Sequence, residues 1–428
     1  MIAPLIASLL LGFQNQPLLD SATVARVLGQ LRSSDSVVCA LTGQALTNYG
    51  GFWGRAYSDP GMPMPRPMPT PMPMPGGGGG GGGGGGVHVE FHEHNHDMDP
   101  AVLRAFRAVV RDENHCIRNI AVRVLGRHGG SGTYDLFLSL LRDSRTDLRE
   151  SGALGLGELE DSRAISPLSD ALGGDASPQV RATAAWALGE IEEKVAIDAL
   201  ARALGDRAPD VRRTAAWALG EIEDQRAVRP LSGALNDPVL DVRLAAVWAL
   251  GEIDDASAVP LLVTATKDRE PRVRQAAAWA LGEIESAQGV GPLVALVRDP
   301  VVDVRKTAIW ALGEIEDGSG VAPAAAALKD ADPEVRVLAA WALGEIEDDG
   351  AVEPLVAALK DSDIDVRATA AWALGEIESP RARDGLTAAQ RDEAGSVRHA
   401  ATWALRQIDD EDDPNVRVRV RPRVKVKP

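Results

Sequence analysis

An indole and a carboxylate four residues apart recur along this chain of 428 residues. Trp186, Trp217, Trp248, Trp279, Trp310, Trp341, Trp372 and Trp403 are spaced 31 residues apart, and Glu190, Glu221, Glu252, Glu283, Glu314, Glu345 and Glu376 follow the first seven. Residues i and i+4 share a helix face, so each pair sets an aromatic face beside an anion. That pairing suits ammonium and guanidinium groups through cation–π contact and charge attraction. A row of such pairs suits an extended basic chain. The rings would also serve simply to fill the gaps left by small neighbours, because buried area is what aromatics most often supply. The two roles are compatible if one ring face is packed between repeats and an edge is open to a groove.

A second cluster with possible chemistry is His88, His92, His94 and His96, which follow Met62, Met64, Met68, Met72 and Met74 and a run of eleven glycines. Thioethers suit Cu(I), and imidazoles suit Cu(II), zinc or nickel. A metal-capturing arm is one expectation, and a low-complexity linker with incidental histidines is the other. Catalytic signatures are missing: the chain has no P-loop, GxSxG elbow, HExxH or plausible Cys/His nucleophile pair. The sequence therefore points away from an enzyme, with no cofactor expected.

Composition narrows the partners. The net charge of −17 argues against nucleic acid, whose phosphates need a basic surface, and favours cationic protein or peptide. Cys39 and Cys116 are the only cysteines, enough for one bridge but not for a disulfide framework or a CxxC zinc site. The apolar run Ile2 to Phe13 is too short to span a bilayer and has the length of a signal-peptide core, so the protein is expected to be exported, periplasmic or secreted. A buried first helix in a cytoplasmic protein is the alternative.

The elements that position the Trp and Glu rows follow from the period. Five residues before each Trp sits an Arg (Arg181, Arg212, Arg243, Arg274, Arg305, Arg336, Arg367, Arg398), and the frame extends back to Arg149 and Arg118, where Leu154 and Arg123 hold the Trp position. Ten units are legible, and a fainter one begins at Leu31, where Cys39 replaces the Arg. Each unit reads as two helices. The first, such as the stretch from Ala351, has Pro in its first turn; the second follows an Asp- and Pro-bearing turn such as that from Asp330 and runs to about Ile346. On a helical wheel Val211, Ala215, Ala218, Leu219 and Ile222 form the buried stripe, while Trp217 and Glu221 lie together to one side of it. The Arg ladder is expected to hydrogen-bond between successive turns.

The stretch Asp332 to Ile346 carries the signature D-P-x-V-R-x-x-A-A-x-A-L-G-E-I, and by it the units resemble HEAT repeats of the short 31-residue kind found in phycobilin lyases and deoxyhypusine hydroxylases. The resemblance implies an all-α, right-handed solenoid of about eleven hairpins, with the second helices lining a concave surface. The hydroxylases of this class bind di-iron through His-Glu pairs just after the repeat Arg. Those positions run here from Asn119-Ile120 to His399-Ala400 without one such pair, so that activity does not carry over, and no lyase motif is transferable.

The expected organisation is an export segment at 1–19, a degenerate repeat at 20–50, a disordered Met/Pro-, Gly- and His-rich insert at 51–98, the repeat array at 99–409, and a tail at 410–428 in which the run of five acids that begins at Asp409 gives way to six alternating cations. The expected function is a non-enzymatic scaffold that binds protein through its Trp/Glu surface, with metal handling by the insert as first alternative and an enzyme related to the lyases or hydroxylases as a weaker one. Nearest-neighbour packing makes one outcome testable at once: removing whole 31-residue units from the C-terminal end should lower helicity and denaturant stability in steps. Circular dichroism of the series checks this, and loss of all helix with the first unit removed would contradict a solenoid.

Overall fold

The computed structural model describes residues 98–411 together with Val24, Arg26 and Leu28, which are helical. The segment 1–19, nearly all of 20–50 with Cys39, the insert with its Met and His residues, and the basic tail lie outside the described residues. Ten helical hairpins occupy residues 100–411, and the described residues contain no strand.

The chain divides between Ala249 and Leu250 into two compact units. The first holds α1 (Pro100–Val109), α2 (His115–His128), α3 (Thr133–Leu141), α4 (Thr146–Glu158), α5 (Ile165–Gly174), α6 (Pro178–Glu190), α7 (Ile197–Ala203), α8 (Pro209–Glu221) and α9 (Val228–Ala234). The division falls within α10 (Leu240–Glu252). The second unit holds α11 (Val259–Ala265), α12 (Pro271–Glu283), α13 (Val290–Leu296), α14 (Val302–Ile315), α15 (Val321–Ala327), α16 (Pro333–Ile346), α17 (Val352–Ala358), α18 (Ile364–Glu376), α19 (Arg383–Ala389) and α20 (Gly395–Glu411). Within each unit the second helices of successive hairpins pack directly on one another and the first helices cover them, an all-α solenoid layering.

Local chemistry explains these boundaries. Asp332 and Asp363 cap α16 and α18 by accepting hydrogen bonds from two backbone N–H groups each, and Pro178, Pro209, Pro271 and Pro333 open their helices where a missing N–H costs nothing. The first helices are shorter than the sequence suggests. In the hairpin from Asp349 the first turn is 3₁₀, Asp349–Ala351, with Asp348 accepting from Gly350 N, and α17 has only 7 residues. One interval, Arg149 to Arg181, is 32 residues, and the extra residue is absorbed in the ten-residue α5.

Two contacts repeat at the junctions from α4 onward within each unit. The glycine of each L-G-E triplet faces the Trp of the next hairpin: a Cβ on Gly189, Gly313 or Gly344 would lie 3.0, 2.7 or 2.9 Å from Cζ3 of Trp217, Trp341 or Trp372. The ring can lie there only because the helix presents bare backbone. The second contact joins each repeat Arg to an Asp of the next hairpin. Arg305 Nε and Nη2 donate to the two Asp330 carboxylate oxygens at 2.8 and 2.9 Å, and Arg181–Asp206, Arg212–Asp237, Arg274–Asp299, Arg336–Asp361 and Arg367–Asp392 repeat the geometry. The remaining Nη1 donates to the carbonyl six residues upstream in all ten units, from Arg118 to Asp112 O through Arg398 to Asp392 O, as expected of an inter-turn ladder. Burial works to raise the Asp330 pKa, but Arg305 and the N–H of Asp332 outweigh it and hold the carboxyl below its ordinary value. Cys116, at the start of α2, is disulfide-bonded.

The glycine contact sets a clear expectation. Gly344→Ala improves intrinsic helix propensity by about 1 kcal/mol, yet its Cβ meets Trp372 at 2.9 Å and the Ala373 Cα at 3.0 Å. The variant should lose about 1 to 3 kcal/mol in urea denaturation through overpacking, and adding Trp372→Leu should return part of that loss. A more stable Gly344→Ala protein would show that the ring moves aside freely.

Candidate interaction surface

The eight Trp residues sit deeper than an open aromatic row would. Trp217, Trp279 and Trp310 are buried, with relative exposures of 3, 6 and 4%, while Trp186, Trp248, Trp341, Trp372 and Trp403 are half-buried. Each packs its six-membered ring on the glycine of the preceding hairpin. The wheel placed Trp217 beside the core stripe. That side is covered as well, because a second helix touches its own first helix and the second helices on either side. Of the carboxylates, Glu283 is exposed and Glu190, Glu221, Glu252, Glu314, Glu345 and Glu376 are half-buried.

Half-burial matters because the neighbouring charges are of the same sign. Desolvation, followed by repulsion from Glu283, Glu285 and Glu316, pushes the Glu314 pKa up to about 7. Desolvation and repulsion from Glu376, Glu314, Glu316 and Glu347 do the same to Glu345, also to about 7. Trp310 Nε1 and Trp217 Nε1 are buried without a well-formed hydrogen bond. The Trp310 N–H nonetheless faces Glu314 closely enough to offset part of its upward shift.

A second acidic row lies two residues beyond the first. Glu160, Glu192, Glu223, Asp254, Glu285, Glu316, Glu347 and Glu378 all adopt a left-handed backbone, with φ between 47 and 55°. Glycine is the relaxed residue at such a helix end, and a side chain there costs of order 1 kcal/mol. Sequence reasoning passed over this row. Its signal was an acidic residue fixed one position after each helix-terminal Ile, where a stop signal such as Gly belongs. The Asp residues that receive the Arg ladder were likewise unassigned, although they recur six residues before each Arg.

One carboxylate of the Glu row already holds cations. Glu158, in the L-G-E triplet of α4, accepts from Arg123 Nη1 at 2.6 Å and from Arg127 Nε at 3.2 Å, and its side chain is 6% exposed. Arg123 occupies the Trp position of its own unit and Arg127 the Glu position, so here the neighbouring hairpin supplies two guanidinium groups to the carboxylate. Among the described residues no group of three or more His, Cys, Asp or Glu is arranged to hold a metal ion, and no helix is long and apolar enough to cross a membrane.

Stacked hairpins joined by repeated Gly–Trp and Arg–Asp contacts define an α-solenoid repeat protein. The chain belongs to the HEAT-repeat family: the HEAT repeats model matches residues 165–243, 231–313, 266–327 and 321–406, and the PBS lyase HEAT-like repeat model matches 148–174. No curated protein sequence matches it. Among solved structures it is similar to Kap95p in a complex with RanGDP, at 14% identity and a TM-score of 0.57 over 93% of this chain and 57% of that one. It is also similar to the CpcE–CpcF complex of phycocyanin lyase from Nostoc sp. PCC7120, at 24% identity and a TM-score of 0.35 over 52% of this chain and 92% of that one. Human deoxyhypusine hydroxylase matches at 24% identity and a TM-score of 0.29 over 59% of this chain and 99% of that one. At these identities the likenesses concern the fold alone.

The raised carboxyls give a pH-dependent expectation. Glu314 and Glu345 keep protons in the folded state that the unfolded chain releases above about 4.5, so their contribution to stability is full below that pH and is lost as pH rises through about 7. Glu314→Gln/Glu345→Gln should therefore exceed the parent in stability at pH 8 by about 1 to 2 kcal/mol after solvent screening, and match it at pH 4. Urea melts at the two pH values check this, and a pH-independent difference would mean that charge crowding is not the cause.

Proposed function

We propose that this protein is a non-enzymatic scaffold that binds an extended, basic stretch of protein along its Glu and Trp rows. The observation that carries this is the contrast between equivalent positions of different hairpins: Glu158 is buried under two guanidinium groups, whereas the leading charges acting on Glu314 and Glu345 are neighbouring carboxylates. An incoming Arg or Lys would supply to those positions what Arg123 and Arg127 supply to Glu158, lowering the repulsion as it binds. The half-buried rings of Trp341 and Trp372 lie one helical turn before Glu345 and Glu376 and would offer apolar contact for the stems of long cationic side chains. Kap95p, a larger solenoid of similar fold, is known in complex with RanGDP, a protein partner. Export is the setting that this reading favours, because the disulfide-bonded Cys116 suits an oxidising compartment and the apolar run Ile2 to Phe13 suits a leader.

The test is fluorescence anisotropy of a labelled peptide of six Arg-Val pairs. It is titrated with the full-length protein and with a full-length variant in which Arg417, Arg419, Arg421, Arg423, Lys425 and Lys427 are Ser. Binding that weakens from 50 to 200 mM salt, and weakens at least about fivefold on Glu314→Gln/Glu345→Gln, is expected. Absence of salt-sensitive binding in both proteins would overturn the proposal.

A further inference from the structure

Resting on that assignment of the Glu row, we infer that the row in the second unit has a resident occupant, the chain's own segment Val416 to Lys427, which any external basic partner must displace. Four observations meet here. The first is the carboxylate row itself, Glu283, Glu314, Glu345 and Glu376, joined by Glu285, Glu316, Glu347 and Glu378. The second is the Trp310 indole, 4% exposed, whose N–H faces Glu314 without a well-formed bond: a buried donor in want of an acceptor, which the backbone carbonyls of an extended chain can supply. The third is the internal precedent at Glu158, where two guanidinium groups fill the equivalent position.

The fourth is where the chain leaves the array. In every hairpin of the second unit the row lies at the C-terminal end of the second helix. The last of these, α20, has 17 residues against 13 in α18, and at its own row position, four after Trp403, stands the neutral Gln407. The tail therefore starts from the same edge as Glu376 and its fellows. From Glu411 to Pro428 there are 17 residues, enough to reach about 56 Å when extended. The three steps from Glu376 back to Glu283, at about 10 Å per stacked helix layer, need roughly 30 Å.

Spacing fits as well. In an extended strand alternate side chains share a face, so Arg417, Arg419, Arg421, Arg423, Lys425 and Lys427 all face one way. Three extended residues cover about 10 Å, one hairpin step, so cations six residues apart coincide with carboxylates two hairpins apart. Arg417 with Arg423, or Arg419 with Lys425, can then meet Glu345 with Glu283 or Glu376 with Glu314, while the cations between them fall nearer the second acidic row. Tethering raises the tail's effective concentration to the millimolar range, so individually weak pairs suffice for occupancy.

The same peptide titration carries the test, with Lys425 and Lys427 as reporters. Neutralising the six tail cations should tighten binding of the Arg-Val peptide at least tenfold, and the ratio should not change with protein concentration. Zero-length carbodiimide coupling of the full-length protein should join Lys425 or Lys427 to a Glu of the two rows, and Glu314→Gln/Glu345→Gln should reduce that yield. Equal peptide affinity with and without the tail cations overturns the inference while leaving the row as a binding surface. Lack of peptide binding by either protein removes the surface instead. Crosslinks confined to the adjacent acids Asp409 to Asp413, or a ratio that vanishes on dilution, would also overturn it, the first placing the tail on its own root and the second on another copy.

Discussion

Close approach between consecutive second helices is the constraint on which the other features rest, and glycine is what allows it. An α-helix normally keeps neighbours at arm's length with its side chains. At one position per hairpin this protein removes the side chain, and the Trp of the next hairpin takes the space. The Arg–Asp bridges then close the far end of the same junction with two charge-assisted hydrogen bonds, while the third guanidinium nitrogen ties the bridge to its own inter-helix turn. One end of each junction is thus fixed by shape and the other by directional polar bonds. Together they dictate the rotation of one hairpin on the next, because neither contact survives a slip of one residue.

That same closeness creates the acidic rows. Carboxylates placed identically on closely stacked helices must lie near one another, and half-burial weakens the water that would screen them. Burial and the neighbouring carboxylates together push the Glu314 and Glu345 carboxyls up. A left-handed acidic residue follows two positions later, where glycine would be relaxed. Packing requirements alone explain neither choice: the Trp–Gly contact and the Arg–Asp bridges would be satisfied with neutral residues at both positions. At Glu158 two guanidinium groups stand against the carboxylate instead, because arginines replace the Trp and Glu of the neighbouring unit.

The period made most of the fold legible. Trp and Arg recurring in fixed phase established the hairpins, their number from residue 99 onward and the start of each second helix, because identical units must solve identical packing problems. Trp depth was harder to read. A helical wheel assumes one buried side, and Trp217 sits on a side covered only because another copy of the helix lies there. The Arg ladder was visible, but its acceptors were not, since Asp206 or Asp330 reads locally as a turn residue and its partner is 25 positions upstream. Crowding of carboxylates was equally hidden, because it depends on the distance between stacked helices, which sequence spacing does not contain.

The uniformity of the junctions bears on how such a chain changes length over evolutionary time. Excising or copying 31 residues within the stretch from Arg181 to Arg398 restores a glycine facing a Trp and an Arg facing an Asp. Recombination between near-identical stretches of gene, such as those encoding the phrases that begin at Arg181 and Arg367, is therefore structurally silent apart from the number of hairpins. The 32-residue interval between Arg149 and Arg181 behaves differently, since an exchange across it shifts the following helix by one residue and turns its faces by about 100°. The hairpins before Arg181 stand outside this traffic, and they are the ones that carry Leu154 and Arg123 where the later hairpins carry Trp.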